Sequence, residues 1–307
     1  MKFLIIAAVV GLSSLTGSLY AQGCSDAGFC SVGNLGVHAN NHAAKKHYLQ
    51  LTTPIGVGDV DVVVFTPTLE YGTQLGRHWQ AQGKITANYA SGNLGDAFGA
   101  GDVFLSGTYL VDPIKKWQTS FTLGIKLPLS QSNLERNRLS LPMQYQSSLG
   151  TVDVISGIAL TSASWQFAAG WQQPVSGINL NHFLPVYYSD KAAMAYPPTN
   201  DFNRRGDVLL RSNYNFKAIH KLSFNTGLLA IYHLGKDTYI NANVQNKPID
   251  ILGSEGLTLN ATASVKYPLG NKFEIGLSSG IPLVIRDVRP DGLTRSFVIA
   301  PSIKFQF

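Results

Sequence analysis

Long apolar runs, charge and cysteine are all scarce in this 307-residue chain. After residue 21, Gly, Pro, Asn or a charge interrupts every apolar stretch before it reaches the roughly 20 residues of a membrane helix. If the chain spans a membrane, it must therefore be a closed β-barrel, the other fold that satisfies backbone groups in lipid. Only 14% of the residues are charged and the formal net charge is +6. No Lys/Arg run indicates a nucleic-acid partner.

The first residues have the layout of a secretory signal peptide. Met1-Lys2 precedes an apolar run over residues 3–12, and small and polar residues follow up to Ala21. We predict a signal peptide over residues 1–21, a periplasmic or lumenal segment over 22–46 and a transmembrane barrel over 47–307. A retained membrane anchor is the alternative.

The two cysteines, Cys24 and Cys30, lie just after the predicted cleavage site. In an exported chain, such a pair most simply forms a local disulfide. Lipid modification of Cys24 is the alternative, although Ala21-Gln22-Gly23 lacks the apolar residue expected three places upstream. A metal site at these cysteines would lack further thiolate ligands.

From His47 onward, about twelve segments alternate between apolar and polar residues, each near the 9–11 residues of a tilted membrane strand. Segments around residues 79–89, 120–127 and 257–267 show the pattern. Such alternation indicates strands between lipid and a polar lumen. It is clearest in the last segment, where Phe297, Ile299, Ile303, Phe305 and Phe307 alternate with Ser296, Ala300, Ser302, Lys304 and Gln306.

The connections between these segments alternate in length. The short connections are residues 72–78, 112–116, 161–164, 217–221 and 268–272. The long connections are residues 91–101, 129–150, 174–206, 236–256 and 284–293. On the side of the long connections, only the first one, near residues 56–58, is tight. A soluble β-sandwich has no reason to sort its loops in this way. We therefore predict an all-β, antiparallel up-and-down barrel in the outer membrane of a Gram-negative bacterium, with short periplasmic turns and long extracellular loops.

Aromatic residues gather at the ends of strands next to the short turns. Trp79, Trp117 and Trp165 begin strands there, and Phe216, Tyr267 and Phe307 end them. This placement indicates an interfacial belt at the edge of the membrane, whereas in a soluble fold the tryptophans would be core. We expect the barrel as a whole to contact outer-membrane lipid and lipopolysaccharide. We also expect the last strand, ending at Phe307, to bind the barrel-insertion machinery.

A Gly-x-x-Asp-Val or Gly-Asp-Val motif recurs near the long-loop side, at residues 56–60, 99–103, 150–154 and 205–208. By parity, Asp102, Asp153 and Asp207 point inward near the outer mouth. They either bond loop groups and fix the rim, or form an acidic ring that selects solutes. The full set of predicted lumen-lining residues is Lys84, Asp102, Lys126, Asp153, Asp207, Arg211, Lys266, Glu274 and Lys304.

Three short motifs carry a family resemblance: Gly-Ala-Gly-Asp-Val-Phe-Leu-Ser-Gly-Thr-Tyr at 99–109, Leu-Gly-Ile-Lys-Leu-Pro at 123–128 and Leu-Gly-Thr-Val-Asp-Val at 149–154. Over residues 59–307 the chain resembles the meta-pathway phenol-degradation family of outer-membrane proteins. The resemblance implies a barrel of about twelve strands and transport of aromatic or hydrophobic compounds. Leu129-Ser130 depart from the family's usual Thr-Gly, and residues 23–30 resemble mature N-termini of Bacteroidota envelope proteins.

No nucleotide-binding loop, zinc-protease helix or Gly-x-Ser-x-Gly elbow occurs, so we predict no catalytic residue, cofactor or metal. A wall of twelve strands encloses a narrow lumen, which favours a passive, narrow or gated, porin-like channel for small, hydrophobic or aromatic solutes. One alternative is a non-conducting binding or assembly component, and another is a lipid hydrolase using His182 or His233 beside a serine. The predicted aromatic surface at the mouth comprises Phe183, Tyr187, Tyr188 and Tyr196.

Overall fold

The computed structural model describes residues 46–307, except residues 178, 217, 218, 220, 242–246 and 294. The predicted signal peptide, the segment over residues 22–45 and the predicted Cys24–Cys30 disulfide lie outside the described residues. Within the described ranges, no helix has the length and apolarity needed to cross a membrane.

The strands fall into one large sheet and two small hairpins in the loops. The large sheet contains β1 (His47–Thr52), β2 (Ile55–Gly58), β3 (Val63–Phe65), β4 (Thr68–Leu75), β5 (Trp79–Gly92), β6 (Gly95–Leu110), β7 (Gln118–Pro128), β10 (Thr151–Thr161), β11 (Trp165–Gly177), β12 (Asp207–Asn215), β13 (Ser223–His233), β16 (Gly256–Leu269), β17 (Phe273–Val284) and β18 (Arg295–Gln306). The small hairpins are β8 (Glu135–Arg136) with β9 (Leu139–Ser140) and β14 (Thr238–Ile240) with β15 (Pro248–Asp250).

The large sheet is a closed antiparallel barrel. Its fourteen strands make twelve wall strands, because β1 and β2 form one wall strand and β3 and β4 form another. The last strand, β18, pairs with both β1 and β2 and closes the wall. At the closure, the His47 and Phe307 backbones exchange hydrogen bonds of 3.1 and 3.0 Å, so both ends of the barrel chain lie at one rim. The predicted fold is confirmed.

The two faces of the wall differ as the alternation predicts. On β7, Phe121 and Leu123 are 49% and 65% exposed, whereas Ser120 and Thr122, which alternate with them, are almost fully buried. The same alternation recurs on β5, β16 and β18. An apolar outer face on a closed sheet requires a hydrocarbon environment, and the chain is an outer-membrane β-barrel.

The predicted aromatic belt lies at the rim of the chain ends and short turns. Trp79, Trp165 and Phe307 are all about half exposed there. The Trp165 ring packs edge-on against Tyr214 with centroids 4.9 Å apart. Amphipathic rings at this level suit the boundary between hydrocarbon and headgroups.

Two details of the predicted outer rim are wrong. Residues 91–101 were expected to form a long loop, but β5 and β6 continue through them to a two-residue turn at Asn93-Leu94, followed by Gly95 in a left-handed conformation (φ 112°). Their small residues lack alternation because this part of the hairpin also packs against loop residues. Residues 56–60 were expected to open a descending strand, but they end β2 and enter the turn before β3.

The other outer connections fold over the end of the barrel. Their described residues include the short 3₁₀ helices η2 (Met143–Tyr145), η3 (Pro185–Tyr187) and η4 (Lys191–Ala195), after η1 (Asp59–Asp61) in the first turn. Residues 140–151 are buried without a break. A connection that merely crossed the surface would expose much of its length, so this segment lies inside the outer end of the barrel.

We predict that Gly72→Val destabilises the barrel by about 1–3 kcal/mol, as expected for overpacking. The Tyr48 ring lies directly over Gly72 on the neighbouring strand, where a Cβ would collide with it. Gly107→Val is the matched control, because a Cβ there meets nothing within 4 Å. Urea unfolding of the purified barrel, followed by tryptophan fluorescence, measures both. Equal losses in the two variants would contradict the prediction.

Candidate functional site

The nine residues predicted to line the lumen differ in exposure. Lys84, Asp102, Lys126, Asp153, Asp207 and Lys304 are buried, at 9% exposure or less, whereas Arg211, Lys266 and Glu274 are partly accessible. The accessible members lie toward the periplasmic half of the wall. Ser278, which has the same inward parity on β17, is exposed there. Water therefore reaches the inner wall from the periplasmic side.

A buried ion pair braces the wall between β7 and β10. Lys126 Nζ lies 3.0 Å from Asp153 Oδ2, and both side chains are fully inaccessible. Lys126 also donates to Thr151 Oγ1 at 2.9 Å, and Gln172 Nε2 donates to the same carboxylate oxygen. Breaking such a pair leaves a buried charge without compensation.

A second charged cluster lies on the opposite wall, where β1, β4 and β18 meet. Tyr48 donates its hydroxyl to Glu70 Oε1 at 2.7 Å, and Lys304 Nζ sits 4.0 Å above the Tyr48 ring. Lys84 Nζ similarly lies 5.1 Å from the centroid of the Phe104 ring. Cations over ring faces are stabilised by the ring quadrupole, so these lysines are held against the wall.

An apolar stripe also faces inward, on the wall from β6 to β13. Sequence reasoning missed it, because the inner face of a membrane barrel is polar by default. The sequence did hold a signal, because apolar residues such as Leu209 and Leu229 occupy positions that the alternation along their strands points inward. The stripe consists of Phe104, Ile155, Ala159, Ala168, Leu209, Leu229 and Ile231, all buried. Its side chains fill that side of the lumen near mid-height.

The outer end of the lumen is closed by residues 141–149, which we call the inner segment. At one end of it, Asn88 Nδ2 on β5 donates to Gln146 O at 3.0 Å. Ser148 Oγ donates to Asp102 Oδ1 at 2.5 Å, and Gln144 Nε2 donates to Arg289 O in the last loop at 3.3 Å. The inner segment is thus bonded to the β5–β6 wall and to the loop before β18.

Two tyrosines and the β5–β6 turn hold the inner segment in place. Tyr196 Oη donates to Asn93 Oδ1 at 2.6 Å, and the Tyr145 and Tyr196 hydroxyls lie 3.2 Å apart. The Leu94 backbone N–H donates to Tyr145 Oη at 3.1 Å. Burial raises the pKa of Tyr196 above its ordinary value, so its hydroxyl keeps the proton that it donates.

The predicted aromatic surface at the mouth is largely wrong as a surface. Phe183 and Tyr196 are almost fully buried, and Tyr188 packs on Phe183 and donates to Ser140 O at 2.7 Å. Burial also raises the pKa of Tyr188 to about 12. Only Tyr187 is exposed, at 51%. The loop aromatics pack against the inner segment and hairpin walls because this end of the lumen holds apolar partners for them.

A buried charged network joins the remaining loops to β12 and β13. Arg204 lies 2.6 Å from Asp207 and 3.2 Å from Asp291, and Arg286 lies 2.9 Å from Asp291. The His233 ring nitrogens lie 2.7 and 2.8 Å from carboxylate oxygens of Asp207 and Asp237. Burial opposes ionisation of Asp291, but Arg286 and Arg204 outweigh it and hold its pKa below the ordinary range.

The three motif carboxylates are therefore tied into the wall or the loops. Asp102 accepts from the inner segment, Asp153 pairs with β7, and Asp207 pairs with Arg204 and His233. This arrangement suits the interpretation in which they fix the rim. An acidic ring that binds solute would need oxygens directed at water in the lumen.

No family model matches the chain, and no curated protein matches it. Solved structures similar to it include the NanC porin (TM-score 0.49, 9% identity, 84% of this chain and 100% of that chain) and the translocator domain of the autotransporter NalP from Neisseria meningitidis (0.47, 10%, 90% and 94%). Another is the CymD monoaromatic hydrocarbon channel (0.42, 10%, 86% and 89%). With every one of these TM-scores below 0.5, the likenesses carry no conclusion about function. The meta-pathway resemblance stays a prediction from its motifs.

We predict that Lys126→Met costs about 3–5 kcal/mol of stability, because it leaves the buried Asp153 side chain without its cationic partner. Adding Asp153→Leu should recover most of that loss. Lys266→Met is the matched control, since its pair with Glu274 is 3.9 Å long and partly exposed, and it should cost about 1 kcal/mol or less. Urea unfolding measures all three. A Lys126→Met loss no larger than that of Lys266→Met would contradict the buried pair.

Proposed function

We propose that this protein is a gated, passive channel for small solutes in the outer membrane. The observation that carries the proposal is the asymmetry of the lumen. Its periplasmic half is lined by accessible polar residues, whereas its outer end is closed by a loop segment held through side-chain hydrogen bonds. A loop can leave such a position without breaking the wall, because every wall strand keeps its neighbours.

The closure has the features of a gate that can open. The inner segment is bonded to the β5–β6 turn through two tyrosine hydroxyls, Tyr145 and Tyr196, and such hydrogen bonds each contribute about 1 kcal/mol net. The segment also packs in the apolar cluster at the outer end of the barrel, so the open state is a minor population. The solute is then small, because a twelve-stranded wall encloses a narrow lumen.

The closed outer mouth also favours a second candidate, a non-conducting component that docks an envelope partner through its loops. In that case the inner segment would be a permanent plug. The lipid-hydrolase alternative has less support, because His233 is buried between Asp207 and Asp237 and His182 contacts Asn200 at 3.3 Å. Neither arrangement is a histidine activating a serine at the outer lipid interface.

We predict that Tyr145→Phe raises the open probability of the channel in planar bilayers roughly fivefold, which corresponds to the loss of about 1 kcal/mol of hydrogen bonding in the closed state. Tyr187→Phe is the matched control, because Tyr187 is exposed on the same closing loops and the Asn93 side chain accepts from Tyr145 and Tyr196. It should conduct like the wild type.

Replacing the inner segment, residues 141–149, with a short Gly-Ser linker extends the test. A gated channel conducts strongly once this segment is gone. If the wild type, Tyr145→Phe and the linker variant all fail to pass ions or small solutes, conduction is excluded, and the docking role takes its place.

A further inference from the structure

One part of the barrel wall is set apart from the rest. The hairpin of β2, η1 and β3, residues 55–65, forms the outer ends of the first two wall strands, and we call it the wall panel. Pro54 precedes it and Pro67 follows it, each at a break between two strands. The panel faces lipid with Ile55 and Val63, which are 44% and 43% exposed.

Below the panel, the interfaces between neighbouring wall strands, which we call seams, lack some backbone hydrogen bonds. A paired residue in an antiparallel ladder normally both donates and accepts, but proline cannot donate. Thr53 donates to Pro301 O at 3.0 Å, Thr66 to Pro54 O at 2.9 Å and Ala87 to Pro67 O at 3.0 Å. In each pair the proline cannot donate the second backbone hydrogen bond. These pairs lie between three successive pairs of neighbouring wall strands, so the missing hydrogen bonds lie at one height of the wall.

The next seam, between β5 and β6, is irregular at the same level. The register shifts between Ile85 and Ala87. Here the hydroxyl of Thr86 accepts from the Asp102 N–H at 2.8 Å and donates to Asp102 O at 3.2 Å. A side chain thus takes the place of backbone pairing, and weakened pairing runs across four seams.

Proline is not scattered evenly over the wall. Pro128, Pro174, Pro268 and Pro282 lie in or near the last few residues of their strands or beside a bulge, where a missing donor costs little. Pro54 and Pro67 instead lie at the breaks within the first two wall strands, and Pro301 lies in the middle of β18. The line of weak pairing is therefore a local property of the wall under the panel.

The space behind the panel is apolar, although the lumen of such a barrel is polar by default. Val62 and Val64 on its inner face are almost fully buried. They pack in one cluster that draws on the panel, the β5–β6 hairpin, the inner segment and the long loop before β12. Its other members are Ala90, Leu94, Ala97, Leu141, Tyr145, Phe183, Ala193 and Tyr196.

The turn at the tip of the panel is bound by an ion pair, and its backbone is strained. Arg289 of the last loop makes a two-armed ion pair with Asp59, with distances of 3.1 and 2.5 Å. Val60 and Asp61 in the turn have φ of 54° and 58°, a left-handed conformation that a β-branched residue such as Val60 disfavours. The tip of the panel is thus held by this ion pair, and its two edges pair with β18 and β5.

We propose that the wall panel is a lateral exit, through which small apolar molecules pass between the cluster behind it and the outer leaflet of the membrane. This inference rests on the proposed channel function and names its solute class and route. A solute that enters at the loops meets this apolar cluster before it meets the polar lumen. The line of weak pairing lies next to the cluster, and lipid lies beyond it.

The test locks the panel to its neighbour with a disulfide. Val63 and Ser91 lie directly opposite each other on β3 and β5, at a spacing that suits a disulfide. Both are changed to cysteine in a Cys24→Ser, Cys30→Ser background. Leu210→Cys with Ala230→Cys, an opposed lipid-facing pair on β12 and β13, is the matched control. The readout is uptake of N-phenylnaphthylamine, which fluoresces on reaching membrane lipid, by intact Gram-negative cells that produce each variant.

We expect oxidation of the Val63→Cys/Ser91→Cys variant to reduce dye uptake to the level of cells without the protein, and reduction to restore it. The oxidised control pair should leave uptake unchanged. Uptake that persists in the locked panel overturns the inference, and so does an equal loss in the control pair. Bilayer conductance of the same variants separates the two proposals, because a locked panel that still conducts ions leaves the channel function standing.

A second variant tests the line of weak pairing without any cross-link. Pro54→Ala returns the N–H that can pair with Thr66 O, and it should slow dye uptake severalfold while the barrel becomes more resistant to urea. Pro268→Ala, near the end of β16, is the control and should change neither the rate of dye uptake nor the resistance to urea. Faster uptake by Pro54→Ala than by the wild type would contradict the proposed role of the seam.

Discussion

The structure depends on the closure of one sheet in a medium without water. In lipid each unpaired backbone group costs several kcal/mol, so β18 must meet β1 and β2, and the chain ends must return to one rim. Closure fixes which residues face lipid, because alternation along every strand then has a single inside. The same requirement makes the proline pairs at mid-wall conspicuous, since they leave ladder bonds unmade in a continuous wall.

The lumen that results has two unlike ends. Its periplasmic half is polar and open to water, with Lys266, Glu274 and Ser278 accessible. Its outer half holds the inner segment, the two tyrosines on Asn93 and a buried network of arginines and aspartates. Such charges stay inside only when they are paired, so the network fixes the loops while the wall carries them. Closure at one end and water at the other are the basis of the proposed gating.

Sequence alone predicted the barrel and its rims, because alternation and loop length are local patterns. It failed where contacts between residues distant in the sequence decide which residues are buried. Residues 91–101 look like a loop, but their small residues make room for the inner segment. Phe183 and Tyr196 look like an exposed aromatic surface, yet Tyr196 bonds Asn93, 103 positions earlier. Leu209 and Leu229 have inward parity, and only the folded wall shows that they meet in one stripe.

The central claim is that the lumen is closed to the outside and open to the periplasm. Labelling of a Ser278→Cys variant by a membrane-impermeant maleimide, in a Cys24→Ser, Cys30→Ser background, tests it most directly. Tyr187→Cys, exposed on an outer loop, gives the rate for full access. The structure predicts that intact cells label at Tyr187→Cys and not at Ser278→Cys, and that opened membranes label at both. Equal labelling of the two positions in intact cells would contradict the account.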